Sequence, residues 1–296
     1  MEWFEDPTNT DVTYTERNTV RHLLGKTPAV LPRALQKPSL LAVAEKADAY
    51  SFHIEDEAQR IMRAAEILVH RQWGFIEMEL PEWDYATMSE TEKLVMVRVF
   101  TRIAEKITPS KKVKNSTMLN LLVTFSGSSK VERKPLNGAG IIWERKANGS
   151  WLLRRTPFFR LAAEKMNVKP EWVGEETWSE WTLWDGRWWI RVQILDPGVK
   201  NLVIRPMDKD DMEILRKYQI DRLHEDVTSL SGEHPMKLPP GKFRFTLPLL
   251  EAEVDDNREK ILISLPSLQI NLLNQRQKEV GAPKLVQWEC EFRNPI

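Results

Sequence analysis

Over the longest periodic stretch of the chain, apolar residues recur at steps of three and four: Leu40, Val43, Ala47, Tyr50, Ile54, Ala58, Ile61, Ala65 and Leu68. This spacing predicts one helix with a single buried stripe, capped by Ser39 after Pro38. About thirty residues at ~1.5 Å each make a rod of roughly 45 Å. Upstream, Pro28, Pro32 and Pro38 punctuate a linker. Ser89-Glu90-Thr91-Glu92 has the form of a capping box and opens a second helix, with Leu94, Val97, Ile103 and Ile107 on its inner side. That helix ends before Pro109. A further helix spans 116–125, and Lys111, Lys112 and Lys114 occupy the loop between the two. His53 and His70 lie on or beside the long helix without partners at ligand spacing and read as structural.

The second half of the chain alternates instead. Residues 75–80 already do so, and after Pro135 two hairpins stand out. In the first, 140–145 and 151–155 flank Asn148-Gly149; in the second, 178–184 and 187–194 flank Asp185-Gly186. Further strands are expected at 243–247, 261–265 and 286–292, with a helix capped by Asp208 running to 219. The chain holds 12 Trp, and Trp178, Trp184, Trp188 and Trp189 fall in or beside the second hairpin. Alternation sends half of these rings into a core; exposed Trp beside Arg would stack on unpaired bases. Helices followed by strands predict an α+β protein.

Charge changes this picture. The net charge is zero, yet residues 101–170 carry 15 Lys and Arg against 4 Asp and Glu. A basic middle in a neutral protein is the footprint of a bound polyanion or a solvated basic face. Lys111, Lys112, Lys114, Lys130, Arg154 and Arg155 are the candidates for phosphate contacts. The single cysteine, Cys290, excludes intrachain disulfides and Cys-rich metal sites. No run approaches the roughly 18 apolar residues of a membrane span. The acidic, aromatic start is neither a signal peptide nor an Arg-rich transit peptide, so either the protein stays where it is made or its true N-terminus has been lost. Ser126-Gly127-Ser128-Ser129-Lys130 lacks P-loop spacing, and Asn137-Gly138-Ala139-Gly140 leads into a strand rather than out of one; both read as turns.

The first two dozen residues carry the sharpest signal. Asp6-Pro7-Thr8-Asn9 is a turn, and Thr13 or Thr15 can cap a short helix bearing Arg17, Asn18, Arg21 and His22 and ending at Gly25. Arg17 and Arg21 share a helical face and form either a clamp for a phosphate or carboxylate or a solvated basic helix end. The string Glu5-Asp6-Pro7-Thr8-Asn9-x-Asp11, followed by Tyr14 and by Arg17-Asn18-x-x-Arg21-His22-Leu23-Leu24, resembles the segment closing the ATP-pyrophosphatase domain of tRNA(Ile)-lysidine synthases. The 14–17 spacing is a residue longer than in many bacterial members and is similar to fungal, mitochondrial versions. Residues 142–158 and 241–268 also resemble fungal members. The Ser-Gly-Gly-x-Asp-Ser/Thr loop with which the family opens has no match here.

The resemblance implies ATP-dependent ligation of L-lysine to C2 of the wobble cytidine of tRNA(Ile) with a CAU anticodon. ATP and Mg²⁺ would be held mainly by the unmatched N-terminal region. Arg17, Arg21 and His22 would act at the catalytic centre, with Asp6, Asn9 and Asn18 shaping it. The organisation expected is a remnant of the ATP-pyrophosphatase domain over 1–25, a helical linker and tRNA-binding block over 26–130, and a β-rich domain over 131–296. The remnant would leave Trp3, Phe4 and Val20 exposed. The alternative is a non-catalytic tRNA-binding module, serving a separately encoded ATP-pyrophosphatase subunit. In a eukaryote the enzyme is expected in mitochondria, otherwise in the cytoplasm.

Overall fold

A computed structural model describes residues 8, 11–26, 31–110, 112–127, 134–146, 148–171, 177–217, 241–254, 259–273 and 285–293. The chain divides into two units, residues 1–59 and 60–296.

In the first unit the Thr15 hydroxyl accepts the Asn18 N–H at 3.2 Å and caps α1 (Glu16–Lys26). The long helix α2 (Lys37–Ala64) follows, with Pro38 in its first turn, where a missing N–H costs nothing. Ser39 therefore lies inside the helix, and its hydroxyl donates back to the Arg33 carbonyl at 2.7 Å. The expected buried stripe holds only toward the C-terminal end of α2, where Ile54 and Ile61 are half-buried and Ala58 is buried; Leu40, Val43 and Tyr50 are 37%, 64% and 45% exposed. Periodicity reports which residues share a face, not whether anything covers it. Leu68 leaves the helix altogether and lies in strand β1 (Ile67–His70). Val20 is 52% exposed, as expected, whereas Trp3 and Phe4 lie outside the described residues.

The second unit opens on an antiparallel sheet. β1 pairs with β2 (Phe75–Met78), and β3 (Leu136–Gly138), β4 (Ile141–Arg145) and β5 (Trp151–Arg155) complete the order β1-β2-β5-β4-β3. Phe75–Met78 pairs along Trp151–Arg154, so one sheet draws strands from both sides of the boundary expected at 130/131. Helices α3 (Glu90–Glu105) and α4 (Asn115–Thr124) belong to the same half, and α3 carries the full Ser89–Glu92 capping box. Leu94 is 44% exposed rather than inward. It stands two and a half turns from Ile103, hence on the opposite face. The rings of Trp83, Phe100, Phe125, Trp143 and Trp151 fill the core here, with Phe125 4.7 Å from Trp151.

Two more antiparallel sheets share the other core. One orders β11 (Ile270–Asn271), β10 (Glu259–Leu265), β9 (Pro248–Val254) and β8 (Val199–Pro206); the other orders β12 (Val286–Phe292), β7 (Trp188–Ile194) and β6 (Thr182–Trp184). Trp184 and Trp188 are buried with Ile190, Val192 and Ile194. Short helices α5 (Arg160–Glu164) and α6 (Lys209–Lys217) complete the elements named here. The strand expected at 243–247 is instead a 3-10 turn, Gly241–Thr246, and the strand starts at Pro248. Phe243 and Thr246 are both buried, and their three-residue separation matches the 3-10 repeat. Helices with antiparallel sheets make the fold α+β. Among the described residues no helix is long and apolar enough to cross a membrane.

Candidate nucleic-acid interface

The N-terminal signal separates into a pin and a display. Asn18 is 6% exposed, and its amide donates to the carbonyls of Thr8 at 2.7 Å and Asp11 at 2.9 Å, tying the preceding turn to α1. Asp11 in turn accepts from the Thr13 hydroxyl and N–H, which lowers its pKa. With Asn18 turned inward, Arg17, Arg21 and His22 are exposed on α1. Asp6 and Asn9 lie outside the described residues.

In the second unit the basic surface centres on the segment joining α3 to α4. Lys112 and Lys114 are exposed there; Lys111 and Lys130 lie outside the described residues. Two hairpin tips brace the segment. The Thr108 hydroxyl donates to the Ala139 carbonyl at 2.6 Å and accepts the Ser110 N–H at 3.1 Å. Pro109 packs against both tips so closely that a Cβ on Gly140 would lie 3.0 Å from its Cγ, and one on Gly186 3.1 Å from its Cα. Both glycines, with Ala139 and Asp185 before them, have positive φ. The Asn-Gly-Ala-Gly and Asp-Gly punctuation is thus a seat for the lysine loop.

Arg154 and Arg155 each have a carboxylate partner within the chain. Arg154 pairs with Glu144 across β4 and β5 at 2.5 Å. Arg155 turns in to Asp185, its Nε 3.0 Å from Oδ2, and donates to the Gly140 and Thr156 carbonyls. Asp185 also binds the fully buried Arg187, whose Nη2 lies 2.6 Å from Oδ2. Burial lowers the Arg187 pKa to about 10, with Asp185 opposing the shift. The two candidate arginines on β5 are therefore a surface ion pair and a buried strut, because strand alternation and the second hairpin, not composition, decide where a guanidinium ends up.

Sequence reasoning did not single out Lys134, exposed just ahead of β3, although it belongs to the same basic interval. Nor did it separate Trp189, 38% exposed, from the buried Trp188; strict alternation along β7 carried that signal. His70 lies 3.3 Å from Glu77 and stacks on Phe75, a structural placement. A cleft of about 240 Å³ lined by Arg205, Asp208, Asp211, Glu251 and Lys260 is charged, but Arg205 binds both Asp211 and Glu251 at 2.7 Å, consuming those charges internally. Among the described residues no group of three or more His, Cys, Asp or Glu side chains could hold a metal ion.

Fold and site together define an α+β protein that displays lysines on a braced loop, a surface suited to a polyanion. Over 276 residues the chain is 22% identical to the probable tRNA(Ile)-lysidine synthase of Schizosaccharomyces pombe, a match covering 91% of this chain and 53% of that protein. The chain thus spans about half the length of this curated relative. No protein-family model matches the chain. No solved structure matches it either.

Proposed function

We propose that this chain is the tRNA-holding portion of a tRNA-modifying ligase, a lysidine synthase acting on tRNA(Ile). The observation that carries the reading is the match to the fission-yeast protein along nine-tenths of this chain. In a longer enzyme the reaction would join the lysine ε-amine to C2 of the wobble cytidine after its adenylation by ATP, with release of AMP. ATP and Mg²⁺ would be held mainly by the N-terminal region of that longer enzyme. This chain's contribution is positioning. Arg17, Arg21 and His22 would face the substrate near the reacting nucleotide, and the loop of Lys112 and Lys114 would hold the tRNA backbone. In a eukaryotic host the place of action would be the mitochondrion, otherwise the cytoplasm.

The test has two parts. A product extended upstream to include a Ser-Gly-Gly-x-Asp loop is expected to transfer labelled lysine to tRNA(Ile) bearing CAU, and not to a transcript with the wobble cytidine replaced. This chain alone is expected to bind that tRNA with log K falling steeply against log salt. Salt-dependent binding with no transfer by any extended product would favour the second reading, a non-catalytic tRNA-binding subunit, which the exposed Lys112 and Lys114 also permit. Absence of binding would sink both.

A further inference from the structure

The sheet β12-β7-β6 has one face in the core and another that carries an unusual set of side chains. Trp188, Ile190, Val192 and Ile194 point inward from β7, so Trp189, Arg191 and Gln193 point outward. In register with Trp189 stand Leu183 on β6 and Glu291 on β12, forming one cross-strand row. Leu183 is 37% and Trp189 38% exposed, and Glu291 is exposed beside them. The neighbouring row is closed on itself. The Arg191 guanidinium lies 4.8 Å from the Trp178 ring and 4.7 Å from Trp181, and its Nε donates to Glu289 at 2.7 Å. Arg191 and the two rings thus form a stiff wall of planar groups, while the Trp189 indole beside it is accessible from solvent.

We propose that this outer face is a stacking platform for an unpaired RNA base that carries an exocyclic amino group, such as adenine or cytosine and unlike uracil. The Trp189 indole would lie under the ring and Glu291 would accept from the amine. This inference rests on the reading that the chain binds RNA, and it adds a base-contacting surface to the backbone-contacting loop. Three observations select a base over other occupants. A flat indole on a sheet face offers a π-surface of the kind single-strand binders use. The adjacent carboxylate repels phosphate but matches an amino donor, as Glu and Asp match cytosine N4. The position is continuous with the lysine loop: Gly186, three residues before Trp189, packs on Pro109, three residues before Lys112. Arg293, two residues past Glu291, donates to the Glu105 carbonyl at 2.7 Å, at the end of α3 where that loop begins. A strand that laid its phosphates along the lysines could therefore place a base on Trp189.

The full chain would be titrated with labelled ten-nucleotide oligo(A), oligo(C) and oligo(U), and with a tRNA transcript, following anisotropy. Wild type is expected to bind oligo(A) and oligo(C) more tightly than oligo(U). Trp189→Ala should weaken oligo(A) and oligo(C) about tenfold, a loss typical of one stacked base. Its salt slope should not change, because no phosphate contact is removed. Trp189→Phe, which keeps a ring, should retain most of the affinity. Glu291→Gln should bring oligo(A) and oligo(C) toward oligo(U). Unchanged binding by Trp189→Ala, while Lys112→Ala and Lys114→Ala weaken binding, would overturn the platform and leave the tRNA reading standing. Equal tightening toward all three oligomers in Glu291→Gln would show that the carboxylate merely repels RNA and would overturn the base assignment. No binding of any RNA by wild type would remove both.

Discussion

Arg155 and Asp185 sit thirty residues apart in the chain and are joined by three hydrogen bonds, Nε to both carboxylate oxygens at 3.1 and 3.0 Å and Nη2 to Oδ1 at 3.2 Å. The pair fastens the tip of the β6–β7 hairpin to the end of β5; that tip seats Pro109 together with the β3–β4 tip, whose Gly140 carbonyl Arg155 also binds. The Asp185 side chain is fully buried and that of Arg155 is 12% exposed. Removing the carboxylate would strand two guanidiniums, since Arg187 shares it. Asp185→Ala is therefore expected to cost about 3–5 kcal/mol in urea unfolding. Equal stability of mutant and wild type would show the strut to be idle. The loop should loosen too, visible as faster hydrogen exchange across 106–114.

Two glycines make opposite predictions. Gly186 has φ +64, and a Cβ there would meet Pro109 Cα at 3.1 Å, which is backbone and cannot swing away. Gly186→Ala should destabilise by about 1–3 kcal/mol through overpacking and left-handed strain. Gly25 lies within α1 with open space around its Cβ position. Gly25→Ala should stabilise that helix by about 0.5–1 kcal/mol, since alanine loses less backbone entropy. Denaturation of the first variant and helix-resolved exchange of the second check the contrast.

His70 supplies a pH dependence. Burial lowers its pKa from the usual 6.5, with Glu77 opposing the shift. The unfolded chain thus takes up a proton near pH 6.5 that the folded protein accepts only at lower pH. Where the unfolded state binds more protons, stability rises with pH, so acidification through 6.5 should destabilise the fold. His70→Gln should flatten the change in unfolding midpoint between pH 7.5 and 5.5. An identical pH profile in wild type and variant would count against the assignment.

Much of this scaffold is legible from local chemistry. The Ser89 capping box, the Asp185-Gly186 turn and the strand over 286–292 all follow from residues within a few positions of one another. What pairing and burial decide is not legible that way. Nothing near Phe75 announces that it will run beside Arg154, and no periodicity says that Leu40 and Val43 remain uncovered. The site divides along the same line. Lys112 and Lys114 are exposed because a loop between helices is solvated, whereas Arg155 is drawn inward by a carboxylate in a later hairpin. Composition locates a basic interval; tertiary partners decide which of its charges reach solvent.

The lysine loop makes a prediction separable from any chemistry. Lys112 and Lys114 are exposed in the segment that Thr108 and Pro109 anchor. The double change Lys112→Ala, Lys114→Ala should leave the unfolding midpoint in place, since neither side chain is buried. It should weaken tRNA binding uniformly across sequences and reduce the salt slope by about two. An unchanged slope would move the backbone contacts elsewhere.

The first helix separates stability from function most cleanly. Asn18 holds two carbonyls while Arg17 and Arg21, on either side of it in sequence, are exposed. Asn18→Ala should release the Thr8 and Asp11 carbonyls from α1 at a cost of about 1–3 kcal/mol, two hydrogen bonds' worth. Arg17→Ala and Arg21→Ala should cost almost nothing in stability, since both residues are exposed on α1. In an extended, ligating product these two variants should lower the rate of lysine transfer at least tenfold if the guanidiniums grip the substrate, about the effect of one charge-assisted contact. Full transfer activity in the double variant Arg17→Ala, Arg21→Ala would return the helix to a solvated basic end.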